Sequence, residues 1–171
     1  MKRDAPVRRA ARTVLLVGEG AAEVQLLQHL NGLYVQRGSG VAVTIKNARG
    51  KGAGHVVDFT FRQSRNAAFD VKAALLDTDT DWTDKTRAAA RKAKVKVLPC
   101  EPCLEAVMLV MHHIPVEGLT TAQLKRSFTQ RFGAAACEVS VLRHFNLDLM
   151  DEARKRIAIL DELLTLMTEA S

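Results

Sequence analysis

Short apolar, β-branched runs alternate with segments of helical period through the first 115 residues, and this alternation limits the fold more than any other feature. Thr13–Val17 closes at Gly18, Val71–Leu76 runs into Asp77, Val95–Leu98 stops at Pro99, and Val41–Ile45 follows the Gly38-Ser39-Gly40 break. Each reads as a strand. Between them, Ala21–Gln36 places Val24, Leu27, Leu30 and Leu33 at helical spacing. His55–Asn66 does the same with Val56, Phe59 and Thr60, and Thr83–Ala93 has Thr83 as its cap. Leu104–Ile114 is apolar nearly all round and so reads as a buried helix. Strands alternating with helices predict an α/β fold, a parallel sheet of about four strands with flanking helices. Beyond it lies a C-terminal helical extension, carried by Thr120–Phe132 and Asp151–Glu169. The expected organisation is a basic arm over 1–12, an α/β domain over 13–115, and an extension over 116–171 packed on it. In the last helix Ala153, Ile157, Leu160, Leu164 and Met167 form a 4-3-4-3 seam. That seam suits packing against the chain's own body or a short homodimer zipper through 151–169.

The 171 residues carry 25 Lys and Arg against 19 Asp and Glu, a net charge of +6. Five basic residues (Lys2, Arg3, Arg8, Arg9, Arg12) and Asp4 give the first twelve positions +4 of it, so the body holds only +2. Such an arm suits salt-dependent phosphate contacts or a solvated terminus. Aromatic residues, at 5%, are too few for a base-stacking platform. The longest apolar run, Ala106–Met111, is six residues, far short of the roughly 20 of a membrane helix. The basic start is followed only by Val14–Val17 before Gly18 and Glu19, too short for a signal peptide. Three cysteines form no disulfide framework and suit a reducing, cytoplasmic setting.

Acids gather where strands end. Glu19 lies in Gly18-Glu19-Gly20 with Glu23 one turn on, Asp77 and Asp79 close the third strand, and Glu105 opens the apolar helix after the fourth. In an open parallel sheet these carboxyl ends share one rim, where ligands bind. Carboxylates about 6 Å apart repel by roughly 3 kcal/mol at an effective dielectric of about 20. Such a group either takes up protons or holds a divalent cation, and all-oxygen ligands select Mg²⁺ or Mn²⁺. The glycines beside Glu19 read as room for a ligand. Asp81 reads as the start of the next helix, ahead of Trp82 and Thr83.

On the same rim, Ala48-Arg-Gly-Lys-Gly-Ala-Gly-His55 combines glycines with Arg49, Lys51 and His55. It reads as a phosphate cradle or as a flexible connection, and it lacks the order of a P-loop. Cys100-Glu-Pro-Cys103 sits between strand and helix, which leaves thiol chemistry open. Zinc held by Cys100, Cys103 and Cys137 with His112, His113 or His144 is a further alternative.

The residues Val14-Leu-Leu-Val-Gly-Glu-Gly-Ala-Ala-Glu23, Leu75-Leu-Asp-Thr-Asp79 and Leu98-Pro-Cys-Glu-Pro-Cys-Leu-Glu105, with His112 ending the apolar helix, resemble the RloB-like proteins. The resemblance covers roughly 12–114. Gly18, Ala22, Leu104 and Val107 depart from residues common in that family. RloB-like proteins are similar to TOPRIM domains, the Mg²⁺-binding unit of topoisomerases, bacterial primases and overcoming-lysogenization-defect nucleases. The resemblance implies a TOPRIM/Rossmann-like fold and a role in bacterial anti-phage defence, in some cases beside a partner ATPase. It implies Glu19 as the TOPRIM glutamate, Asp77 and Asp79 as the Asp-x-Asp pair, and Glu105 and Glu23 as further acids. Of the TOPRIM chemistries, strand passage needs a tyrosine, and the one tyrosine, Tyr34, falls late in the first helix. Priming needs a second domain. Metal-dependent phosphodiester hydrolysis of DNA or RNA remains, with Glu19, Asp77 and Asp79 as catalytic residues. The alternative is a non-catalytic module that binds a nucleotide or metal.

Overall fold

The computed structural model describes residues 10–169. Most of the expected basic arm, residues 1–9, lies outside these, and Arg12 already belongs to the first strand. Four strands, β1 (Arg12–Gly18), β2 (Val41–Asn47), β3 (Val71–Asp77) and β4 (Lys96–Cys100), form one sheet. All pairings are parallel and the order is β2-β1-β3-β4. Helices α1 (Ala21–Tyr34), α2 (Gly52–Asn66) and α3 (Asp84–Ala93) are the crossovers.

The apolar runs of β1 and β3 are buried on both faces, as a parallel sheet demands. Val14 and Leu16 of β1, with Ala73 and Leu75 of β3, face the larger core, which α1 covers with Leu26, Leu27 and Leu30. Leu15, Val17, Ala74 and Leu76 face the smaller core beneath α2, where Ala53 and Val56 meet them. The larger core is completed by α4 (Leu104–Met111), α5 (Thr121–Phe132), α6 (Leu147–Ala153) and α7 (Ala158–Thr168).

The expected single helix over Asp151–Glu169 is two. Arg154–Arg156 turn between α6 and α7. The Arg156 guanidinium donates to the Val110 and Met111 carbonyls at 2.7 and 2.6 Å, capping α4. Ala153, Leu160, Leu164 and Met167 of the seam are buried within the chain itself. Ahead of the expected helix lie a 3-10 turn at Val139–His144 and the first residues of α6, from Leu147, neither of which the sequence marks as helical by its period. Helix α4 ends at Met111 rather than Ile114, because His113 turns left-handed at φ 59°. No helix among the described residues is long and apolar enough to cross a membrane.

Candidate carboxylate site at the β1/β3 switch point

With β2 on one side of β1 and β3 on the other, the crossovers change direction between β1 and β3. The crevice beyond their carboxyl ends is where open α/β sheets bind ligands. Glu19 and Asp77 lie at that point. The Glu19 N–H donates to the Leu75 carbonyl at 3.0 Å, and Glu19 Oε2 accepts the Asp77 N–H at 3.1 Å. The first acid is thereby tied across to the strand that carries the second. Gly18 permits this, but not by leaving room for a ligand. A Cβ there would lie 2.9 Å from Glu23 Cβ and from Val24, so its bareness admits the first turn of α1.

Glu23 is buried, and its Oε2 accepts the Gly20 N–H at 2.8 Å, closing the N-terminus of α1. Burial raises its pKa, and the Glu19 and Glu105 charges add to the rise. Asp77 Oδ1 accepts the Leu104 N–H at 2.9 Å, at the first residue of α4. Burial, then the Glu23 charge, push Asp77 up to about 7, against the pull of Lys125 and the Leu104 N–H. Glu105 is buried, and both its oxygens accept from Lys125 Nζ, at 3.0 and 2.9 Å. Burial is the largest single influence and opposes the Lys125 charge, but the Glu105 bond and the charges of Glu105 and Asp77 together outweigh it and raise that pKa.

The structure thus brings together Glu19, Glu23, Asp77 and Glu105, with Lys125 as their cation. Asp79 is exposed, and among the described residues only its N–H is fixed, to the Pro102 carbonyl at 3.1 Å. Glu19 Oε1, Glu23 Oε1 and Asp77 Oδ2 accept no hydrogen bond from the described residues. Among the described residues no group of three or more His, Cys, Asp or Glu side chains is arranged to hold a metal ion. The three carboxylate oxygens are of the hard donor type that Mg²⁺ and Mn²⁺ take. Sequence reasoning missed Lys125, since nothing local marks a lysine on α5 as the partner of an acid on α4.

The Ala48–His55 segment joins the same rim. The Ala48 N–H donates to the Gly18 carbonyl at 3.0 Å and the Gly50 N–H to the Glu19 carbonyl at 2.7 Å. Arg49 and Lys51 are exposed and left-handed, at φ 63° and 74°, a strained backbone for residues with side chains. His55 departs from expectation: its Nε2 must donate to the Ala48 carbonyl, 3.0 Å away, and so serves the loop rather than a phosphate. Asp81 departs too. Its Oδ2 accepts the Gly54 N–H of α2 at 3.1 Å, so a phosphate at that helix N-terminus would have to displace a resident carboxylate. Thr83 caps α3, as read from sequence.

Both thiols of the Cys100–Cys103 pair are buried. Burial, then Asp77 and Glu23, hold the Cys100 thiol well above its usual range. Burial also pushes Cys103 up to about 11, whereas reactive thiols sit low. His112 packs against Phe132 and Phe145, ring centroids 4.9 Å apart in each case, and burial lowers its pKa. The Tyr34 hydroxyl donates to Asp151 at 2.7 Å, at the far end of α1 from the acids. Compared with protein-family models, curated proteins and solved structures, the chain matches none.

Proposed function

We propose that the chain is a divalent-metal-dependent nuclease, acting from the carboxylate crevice between the ends of β1 and β3. The observation that carries the reading is the Glu19–Asp77 link at the switch point, with two further buried acids around it. Glu19, Glu23 and Asp77 would hold Mg²⁺ or Mn²⁺ through their free oxygens, Asp79 entering from the exposed rim. The cation would supply charge neutralisation and Lewis-acid polarisation of a phosphodiester. Asp77, pushed up to about 7 by burial and then by the crowding of acids in the crevice, would be held ionised by a bound cation. The Leu104 N–H fixes its direction. Arg49 and Lys51 supply positive charge beside Glu19 for the phosphate backbone. The resemblance to RloB-like proteins supports the same chemistry and a place in phage defence.

A second reading has its own support. Lys125 occupies both oxygens of Glu105, which suits a site that binds a metal or nucleotide without turning it over. Calorimetric titration with Mn²⁺, beside cleavage assays on DNA and RNA, separates the two. The nuclease reading expects binding and cleavage in the wild type, with affinity at least tenfold weaker and cleavage lost in Glu19→Gln and Asp77→Asn. Binding without cleavage favours the second reading. Affinity and cleavage that survive both substitutions remove this site from the function.

A further inference from the structure

The charge of the folded body is unevenly placed. Residues 13–171 carry +2, yet the stretch from Asp84 to Lys96 alone holds six basic residues against Asp84. The rest of the body is therefore net acidic, and the positive face is α3. Arg87 and Arg91 lie one turn apart on one side of that helix, and Lys94 follows as its left-handed C-cap. Arg91, Lys92, Lys94 and Lys85 are exposed, and none makes an ion pair among the described residues. Among the described residues Arg87 forms an ion pair only with the exposed Asp84, at 3.0 Å, a bond that water and salt weaken readily.

Beside this stripe runs an open groove of about 250 Å³, lined by Trp82, Arg87, Ala90, Arg91, Val95 and Val97. Its floor is apolar and its walls are an indole and two guanidinium groups, with the Arg87 guanidinium 5.3 Å from the Trp82 ring centre. That volume falls below the ~300–1,000 Å³ of a site for a drug-sized molecule, and suits one planar ring system. Trp82 follows directly on the loop after β3, and from it the groove runs along α3 to Val95 and Val97 at the start of β4.

We propose that α3 and the Trp82 groove form a docking surface for single-stranded nucleic acid, one base entering the groove while the backbone follows Arg91 and Lys94. It rests on the nucleic-acid partner of the proposed function and is independent of its metal. A lone aromatic builds no platform of stacked bases, in keeping with the low aromatic content, but one ring takes one base. Arginine planes stack on bases and fork onto phosphates, whereas an acidic protein segment would leave the indole and the apolar floor unused.

The chain's one tryptophan reports on the groove directly. Titrating the full chain with a short oligothymidylate in EDTA should quench Trp82 emission saturably. Arg91→Ala/Lys94→Ala, two exposed changes that leave the far-UV circular dichroism intact, should bind about tenfold more weakly. It should also lower the slope of log K against log salt by about 0.7 for each cation removed. Trp82→Phe, followed by anisotropy of a labelled strand, should keep most of the affinity, and Trp82→Leu should lose about tenfold. Absent quenching, an unchanged slope in the double variant, or equal affinity for a duplex of the same length or for polyglutamate would each overturn the surface. Because EDTA is present, lost Mn²⁺ binding with quenching intact overturns the nuclease reading alone.

Discussion

At the scale of single residues, Asp77 carries the clearest consequence. Its carboxyl sits at about 7 in the folded chain, against 3.8 as the ordinary value, first through burial and then through the Glu23 charge. An acid raised by folding binds its proton more tightly in the native state. Between pH 4 and 7 the native state therefore holds more protons than the unfolded chain, and stability falls as pH rises through that window. Asp77→Asn removes the ionisation while its Oδ1 still accepts the Leu104 N–H. The variant should match the wild type at pH 4 and exceed it by about 1–2 kcal/mol at pH 8, less than the full shift would give because water reaches the site. Urea unfolding at the two pH values measures the difference; equal stability at both would show Asp77 to be solvated. Glu19 and Asp77 were legible in the sequence because each directly follows an apolar strand, and strand ends fix position. Asp81 and His55 were not, since their partners, the Gly54 N–H and the Ala48 carbonyl, appear only once the loops have closed.

Among elements, the join between α4 and α5 is the most exposed to test. Glu105 is buried on α4, and the Lys125 side chain reaches it from α5 while remaining 49% exposed. Removing the lysine leaves a buried carboxylate without a counter-charge, which costs about 3–5 kcal/mol in a fully buried pair. Half exposure of Lys125 brings the expected loss for Lys125→Met to about 2 kcal/mol. Adding Glu105→Gln should recover most of that loss, because the uncompensated charge is gone. Denaturant unfolding of the two single variants and the double variant closes the cycle. Two additive single losses would show that the pair is not coupled. Strand and early helix positions were readable because an apolar run or a 3.6-residue period is a local signal. The breaks in the C-terminal half were harder. The 4-3-4-3 seam runs through Arg154–Arg156 without a glycine or proline to mark the turn, so one helix was read where two stand. The start of α6 did carry a signal, Asn146, whose side chain accepts the Leu149 N–H at 3.0 Å.

On the scale of the whole molecule, the C-terminal helices and the sheet share one core. Phe128, Phe132, Phe145, Leu160, Leu163, Leu164 and Met167 are buried in the cluster that also holds Val14, Leu16, Ala73 and Leu75. Burying each such side chain contributes about 1.5–3 kcal/mol, so these seven account for about 10–20 kcal/mol. That equals or exceeds the whole net stability of a typical domain, about 5–15 kcal/mol. A chain ending at residue 115 would keep the alternation that dictates the sheet, but would expose one face of it to water. The carboxylate site would fail with it, since Glu105 would lose Lys125 and α4 would lose the Arg156 cap on Val110 and Met111. The expected outcome for the 1–115 fragment is aggregation, or a compact state that binds anilinonaphthalene sulfonate and lacks fixed aromatic circular dichroism. The full chain should unfold in a single transition by both far-UV circular dichroism and Trp82 fluorescence, although Trp82 lies against the smaller core. A soluble fragment with native aromatic signals, or two separated transitions in the full chain, would instead make the sheet an autonomous unit that the extension merely covers.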